Sequence, residues 1–251
     1  MFFLLWEYQA SEDMAKGVFL ADLHIHSVLS PCADRDMLPH CIILEAREKN
    51  IDLIAITDHN ACDNVEVTVA LGEKFGIWVI PGLEVETREE IHLLSLFPSL
   101  SQLYDFNQEM EKCLPFIPLQ EKVWGEEWVI NEEGEIKEKK TNLLVYPLDL
   151  SVEQVVEKTR SRGGIVIPAH VDRPSYSIIS QLGFIPPHLE IKVVELSINT
   201  SEEKATNKLG LAGFRFLHSS DAHSLTQIGS VTTSFLFSSF PDWRELEQIL
   251  T

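Results

Sequence analysis

Apolar runs of strand length alternate with amphipathic stretches along most of this chain, and that alternation leaves few folds open. GVFLADLH (17–24) is followed by a helical pattern over about 37–50, then by IDLIAITDH (51–59) and a second helical stretch over 63–75. A strand pair, IWVIPGLEVE (77–86) and IHLLSLF (91–97), precedes helices over about 99–113 and 151–162. GGIVIPAH (163–170), IKVVELS (191–197), GFRFLHSSDAH (213–223) and SVTTSFLF (230–237) complete the strands, with a last helix from Asp242. Apolar strands separated by helices predict parallel strands near the core. Seven or eight such repeats predict an α/β fold of the TIM-like (β/α) barrel type. Residues 120–142 break the rhythm and read as a hairpin insertion around Asn131–Gly134 with charged flanks. At 251 residues, 45% of them apolar, a single domain over 18–251 is expected, with residues 1–17 as an N-terminal extension.

Barrel enzymes build their sites at the carboxyl ends of the strands. Those ends carry, in chain order, His24 and His26, Asp58 and His59, Glu84, His92, His170, and Asp221 with His223. Chance would scatter such residues between both ends of a barrel, whereas here separate connections each present an imidazole or carboxylate at one end. Side chains alternate along an extended segment, so His24 and His26 share a face, as do Asp221 and His223. So many ligands exceed the needs of one ion, which predicts a multinuclear centre of about two to three divalent transition-metal ions: manganese, iron or zinc. His40, His188 and His218 lie off this pattern and receive no role.

At these residues the sequence resembles the PHP (polymerase and histidinol phosphatase) family: DLHIHS at 22–27, ITDHN at 56–60, PGLEVE at 81–86, His92, PAH at 168–170 and SSDAHS at 219–224. The resemblance implies a distorted seven-stranded (β/α) barrel with a trinuclear site. It also implies a division of labour. His24, His26, Glu84 and Asp221 would hold the first metal, Glu84 would bridge to a second held by His92 and His170, and His59 and His223 would hold the third. The third site takes one more ligand from the loop after His26, which here reads Ser30-Pro31-Cys32-Ala33-Asp34 and is longer than the usual pattern. Asp34 offers a hard oxygen and is preferred, while Cys32, a soft thiolate that would favour zinc or iron, stays open as the alternative.

Two residues are expected to act beside the metals. Asp58 precedes a ligand histidine, where it would hold an imidazole tautomer or orient water. Arg173 follows His170 in chain order, on the side where a phosphate would project its outer oxygens for a bidentate guanidinium, with Arg88 next in line. Arg160 and Arg162 precede a strand and fall toward the opposite end. Asp22 is a plausible brace, and neither Ser27 nor Ser220 has the base and orienter of a serine nucleophile.

The activity these features imply is metal-dependent hydrolysis of a small phosphorylated metabolite or nucleotide by metal-activated hydroxide. Two alternatives stay open: a nuclease or exonuclease acting on oligonucleotides, and a non-catalytic metal-binding module. A formal charge of −19 argues against a long nucleic acid partner, because a polyanion would be repelled by most of the surface. Four cysteines, at 32, 41, 62 and 113, form no CxxC pair and no disulfide framework, which fits reduced thiols in a cytoplasm. The apolar Met1–Trp6 run is cut short by Glu7 and lacks a basic n-region, and no run spans a bilayer, so neither a signal peptide nor membrane insertion is expected.

Overall fold

The computed structural model describes residues 17–238 and 241–251; apart from Gly17, the expected N-terminal extension lies outside them. Its strands are β1 (Gly17–Ile25), β2 (Leu53–Ile56), β3 (Trp78–Glu86), β4 (His92–Leu96), β5 (Trp128–Ile130), β6 (Ile136–Lys139), β7 (Ile165–Pro168), β8 (Val193–Leu196), β9 (Arg215–His218) and β10 (Thr233–Phe237). The α-helices are α1 (Pro39–Glu48), α2 (Val65–Phe75), α3 (Leu100–Cys113), α4 (Glu121–Trp124), α5 (Val152–Arg160), α6 (Ile178–Leu182), α7 (Glu202–Lys208) and α8 (Trp243–Leu250).

Six strands form one curled sheet in the order β10-β1-β2-β3-β4-β7, while β8-β9 and β5-β6 are separate pairs. The sheet is less parallel than the apolar strands suggest. β1, β2 and β3 are parallel to one another, but β10 runs antiparallel to β1, and β4 runs antiparallel to both β3 and β7. The reason for β4 is local, since residues 87–91 are too few for a crossover and the chain must turn straight back. Nor is the expected seven-stranded ring one continuous ladder. Val171 N–H donates to Glu195 O (2.9 Å), and Ala222 N–H to His24 O (3.2 Å), where the two-stranded pair meets the larger sheet.

Burial follows the period of two. Leu53 and Ala55 of β2 join an inner cluster with Leu23, Ile80, Leu94, Ile167 and Val193, whereas Ile54 and Ile56 face an outer layer with Ile42, Val65, Phe106 and Val155 from the helices. Helix boundaries follow from capping chemistry. Pro39 opens α1, Gly76 in the left-handed conformation (φ 75°) closes α2, and a Ser151–Gln154 capping box starts α5. β5 and β6 form a hairpin closed by Asn131 N–H to Glu135 O (2.9 Å).

Candidate metal centre

The inner face of the sheet is apolar until its carboxyl end, where the same alternation delivers polar residues. On β3, Glu84 falls in phase with Ile80, and on β4 His92 falls in phase with Leu94; on β8, Glu195 falls in phase with Val193. The first strand behaves differently. Its register against β2 shifts between Asp22 and Ile25, and after that irregularity His24 and His26 converge, their Nε2 atoms 3.2 Å apart. His170 and Asp221 adopt positive φ (29° and 49°), an uncommon conformation for residues other than glycine and one found where a site dictates direction.

Glu84 lies at the centre of this group, 1% exposed. Its Oε1 is 2.9 Å from His92 Nδ1, 3.3 Å from His170 Nε2 and 3.4 Å from His24 Nε2. Its Oε2 is 3.1 Å from His59 Nδ1 and 3.4 Å from His26 Nε2. Asp221 Oδ1 approaches His26 Nε2 (3.1 Å) and His24 Nε2 (3.2 Å). Ligand atoms of His24, His26 and Glu84 cluster together, as do those of His59, Glu84 and His92, and those of His26, Cys32, His59 and His223. Asp34 belongs to none of these clusters. Asp34 is exposed, as is Cys32, and its main-chain N–H donates to His223 O (2.7 Å), whereas the Cys32 thiol falls in the third of these groups.

The electrostatics suit cations. Burial opposes ionisation of Glu84, but His92, His24 and His59 hold it well below the usual carboxylate range; Asp221, also buried, is held low by His24 and His26. Burial and the neighbouring His223 push His26 down to about 4, and burial drives His59 well below its usual value. Against the effect of burial, Glu195, Asp221 and Glu84 hold His24 well above its usual value and Glu84 holds His92 up, so the carboxylates are already in the ionised form that ligation requires while a metal would displace protons from these two imidazoles. Moreover, His59 Nδ1, His92 Nε2 and His170 Nδ1 are buried without a hydrogen-bond partner. Unsatisfied buried nitrogens on residues grouped around one carboxylate fit metal ions better than a closed hydrogen-bond network.

A layer of supporting contacts surrounds these ligands. Glu195, which reads in sequence as an incidental acid in an apolar strand, places Oε2 2.9 Å from His24 Nδ1 and accepts His170 N–H (3.0 Å), so one buried carboxylate orients two ligands. Asp58 is not among the residues lining the cleft, and its contacts run to the loop after His26. It accepts Ser27 N–H (2.7 Å) and the hydroxyls of Ser27 and Ser30 (both 2.6 Å), and Ser30 Oγ lies 3.0 Å from His26 Nδ1. It therefore acts on His26 through Ser30. Asp22 braces the strand end, accepting Ser220 N–H (2.9 Å) and Gly229 N–H (2.8 Å).

The centre opens into a cleft of about 180 Å³ lined by Cys32, His59, Glu84, His92, Val145, His170, Arg173, Tyr176, Asp221 and His223. Arg173 Nη2 is 2.7 Å from Asp221 Oδ2, while Arg88 is turned away onto Asp149 (2.8 Å) and Arg160 donates to Leu189 O (2.7 Å). Tyr176, unsignalled by any periodicity, stacks on His92 at 4.9 Å. A larger apolar cavity of about 750 Å³, around Trp78, Pro98 and Trp243, contains none of these ligands.

Residues 22–145, which carry the ligand positions from His24 to His92, match the PHP domain. An uncharacterized protein of Bacillus subtilis is 26% identical over 243 residues, covering 83% of this chain and 56% of its own length. Lesion-specific endonuclease Q from Pyrococcus furiosus has the same fold (TM-score 0.64, 21% identity, 93% of this chain and 56% of that one). So does a Bifidobacterium adolescentis protein described as a metal-dependent phosphoesterase (TM-score 0.58, 17% identity, 92% and 95%). This chain thus spans about half the length of the first two. Endonuclease Q is also known in complex with a 27-mer duplex bearing an abasic lesion (TM-score 0.67). That finding overturns the exclusion of long nucleic acid drawn above from net charge. Net charge averages over a surface and does not describe the field at one cleft, where bound divalent cations reverse the local sign. Through residues 22–145, the chain is a PHP-domain protein.

Proposed function

We propose that this protein is a metal-dependent phosphoester hydrolase. The observation that carries the reading is Glu84, one buried carboxylate within 3.4 Å of five imidazoles, set at the floor of a cleft that Arg173 also lines. His24, His26, Glu84 and Asp221 would hold one ion, Glu84, His92 and His170 a second, and His59 and His223 part of a third. Divalent ions held there supply an activated water and neutralise the phosphoryl oxygens. Glu195 and the Asp58–Ser30 pair keep the imidazoles aimed, and Arg173 is placed to grip a non-bridging oxygen. We read the β8-β9 pair as completing, with β1, β2, β3, β4 and β7, a distorted seven-stranded barrel around this centre, β10 adding to β1 outside the ring. The four cysteines are free, which supports a reducing compartment such as the cytoplasm.

At about 180 Å³ the cleft is below the 300–1,000 Å³ of sites that swallow a whole drug-sized ligand. It takes the reacting phosphate and leaves the rest of the substrate at the surface. A small phosphorylated metabolite or nucleotide is the first reading. The fold shared with endonuclease Q favours a second, cleavage of a damaged duplex. The experiment measures hydrolysis of an aryl phosphate monoester, the corresponding diester and an abasic duplex by protein loaded with Mn²⁺ or Zn²⁺, with metal content determined in parallel. Hydrolysis that a chelator abolishes and metal restores is expected. Protein that takes up less than about one ion per chain would sink the site itself.

A further inference from the structure

Cys32 is the one ligand-type residue of the cleft that an oxygen-and-nitrogen metal centre does not call for. Its Sγ lies, with nitrogens of His26, His59 and His223, in a group whose ligand atoms are all within 4.8 Å of one another. Of these, His59 is 5% exposed, and its Nδ1 makes no hydrogen bond although Glu84 Oε2 is 3.1 Å away. His59, a buried imidazole with an unsatisfied nitrogen on its Glu84 side, thus belongs to the same group as the thiol. The loop is held in place from both sides. On the inner side, Ala33 N–H donates to Ser30 O (3.0 Å) and Asp34 N–H to His223 O (2.7 Å), which fixes Cys32 between two bonds. On the outer side, Gly125 of the insertion packs against Pro31 so closely that a Cβ there would meet Pro31 O at 2.9 Å, and Arg35 pairs with Glu126 (3.0 Å).

We propose that Cys32, with His59 and His223 and beside His26, forms a thiolate-containing position of the centre that selects a soft or borderline ion, zinc or iron(II), over manganese. The proposal rests on the metal-centre reading above and adds a chemical identity to one of its positions. His26 Nε2 is turned to Glu84 and Asp221, so two imidazoles and one thiolate make a Cys–His₂ donor set with one position left to water, of the kind that zinc accepts in tetrahedral geometry, whereas manganese prefers carboxylate, carbonyl and water oxygens. On binding, the thiol proton leaves to solvent and the sulfur lone pair fills the metal bond, so loading releases a proton.

Two measurements test this without recourse to turnover. The first is a titration of metal-free protein with cobalt(II). Wild type develops the near-ultraviolet sulfur-to-cobalt charge-transfer band; Cys32→Ser and Cys32→Asp lose it, and Asp34→Asn keeps it. Cys32→Asp supplies an oxygen in place of sulfur, so loss of the band with cobalt still bound reports ligand identity and not collapse of the loop. The second is alkylation by iodoacetamide, read by mass spectrometry. Zinc shields Cys32 but not Cys41, and manganese shields neither. Cobalt bound by wild type without the band, or a band that survives Cys32→Ser, overturns the thiolate position and leaves the rest of the centre standing. Failure to bind cobalt at all overturns both.

Discussion

Around Glu84, imidazoles from four separate strand ends share one carboxylate, and replacing that carboxylate by an amide of the same shape separates charge from packing. Glu84→Gln is expected to lower hydrolysis by at least about two orders of magnitude and to reduce bound metal, measured together by assay and elemental analysis. Glu195 makes a subtler case because it touches ligands and not the cleft. Glu195→Gln keeps an acceptor for His170 N–H but weakens the hold on His24 Nδ1, so a loss of about 10- to 100-fold in metal affinity is expected by competition with a chelator. An unchanged affinity would mean that His24 is aimed by packing alone. Arg173→Ala is expected to cost about 10- to 100-fold in kcat/KM, with Arg173→Lys recovering part and Arg160→Ala almost nothing. Because Arg173 also pairs with Asp221, the alanine variant further tests whether that ligand stays in place once the pair is gone. Equal kinetics for Arg173→Ala and Arg160→Ala would move the phosphate clamp elsewhere.

Elements were legible where a period and a ligand coincided. His24, His26, His59, Glu84 and His92 fall at strand ends in a register that anyone reading the sequence can follow. Glu195 was not legible, because in IKVVELS an acid after two valines reads as a strand end facing water; its only signal is that it falls in phase with inward Val193. Tyr176 lies in an irregular loop where no period exists, and which of Cys32 and Asp34 lies nearer the histidines depends on a turn that sequence does not specify. The direction of β4 depends on the length of its connection more than on its own residues. The insertion carries its own prediction through Glu127, fully buried, with Oε1 accepting Leu144 N–H (3.0 Å) and Oε2 unpartnered. Burial pushes its carboxyl up to about 7, while the unfolded chain keeps the usual 4.5. The folded state therefore holds this proton more tightly. Its stabilising contribution is full below about pH 4.5 and is lost as pH rises through about 7. Glu127→Gln retains the bond to Leu144 and removes the titration, so between about pH 5 and pH 8 urea midpoints should fall less for the variant than for wild type. Parallel curves would show that Glu127 is free to hydrate.

At the scale of the whole molecule, −19 formal charges on 251 residues make self-repulsion a standing cost to compactness. Raising ionic strength from about 0.01 to 0.15 M shortens the Debye length from about 30 to 8 Å, so the melting temperature of the metal-free protein should rise over that range. A flat response would mean that opposite charges are already well interspersed. No helix among the described residues is long and apolar enough to cross a membrane. The bond from Ala222 N–H to His24 O has a further meaning when the chain is followed in the order of its synthesis. His24 and His26 emerge long before Asp221 and His223, and domains of this size fold as units. The early pair alone is a two-nitrogen chelate that many ions can enter and leave. Selection among metals therefore belongs to the folded domain, and the metal supply that matters is the one it meets once Asp221 and His223 have joined the early pair.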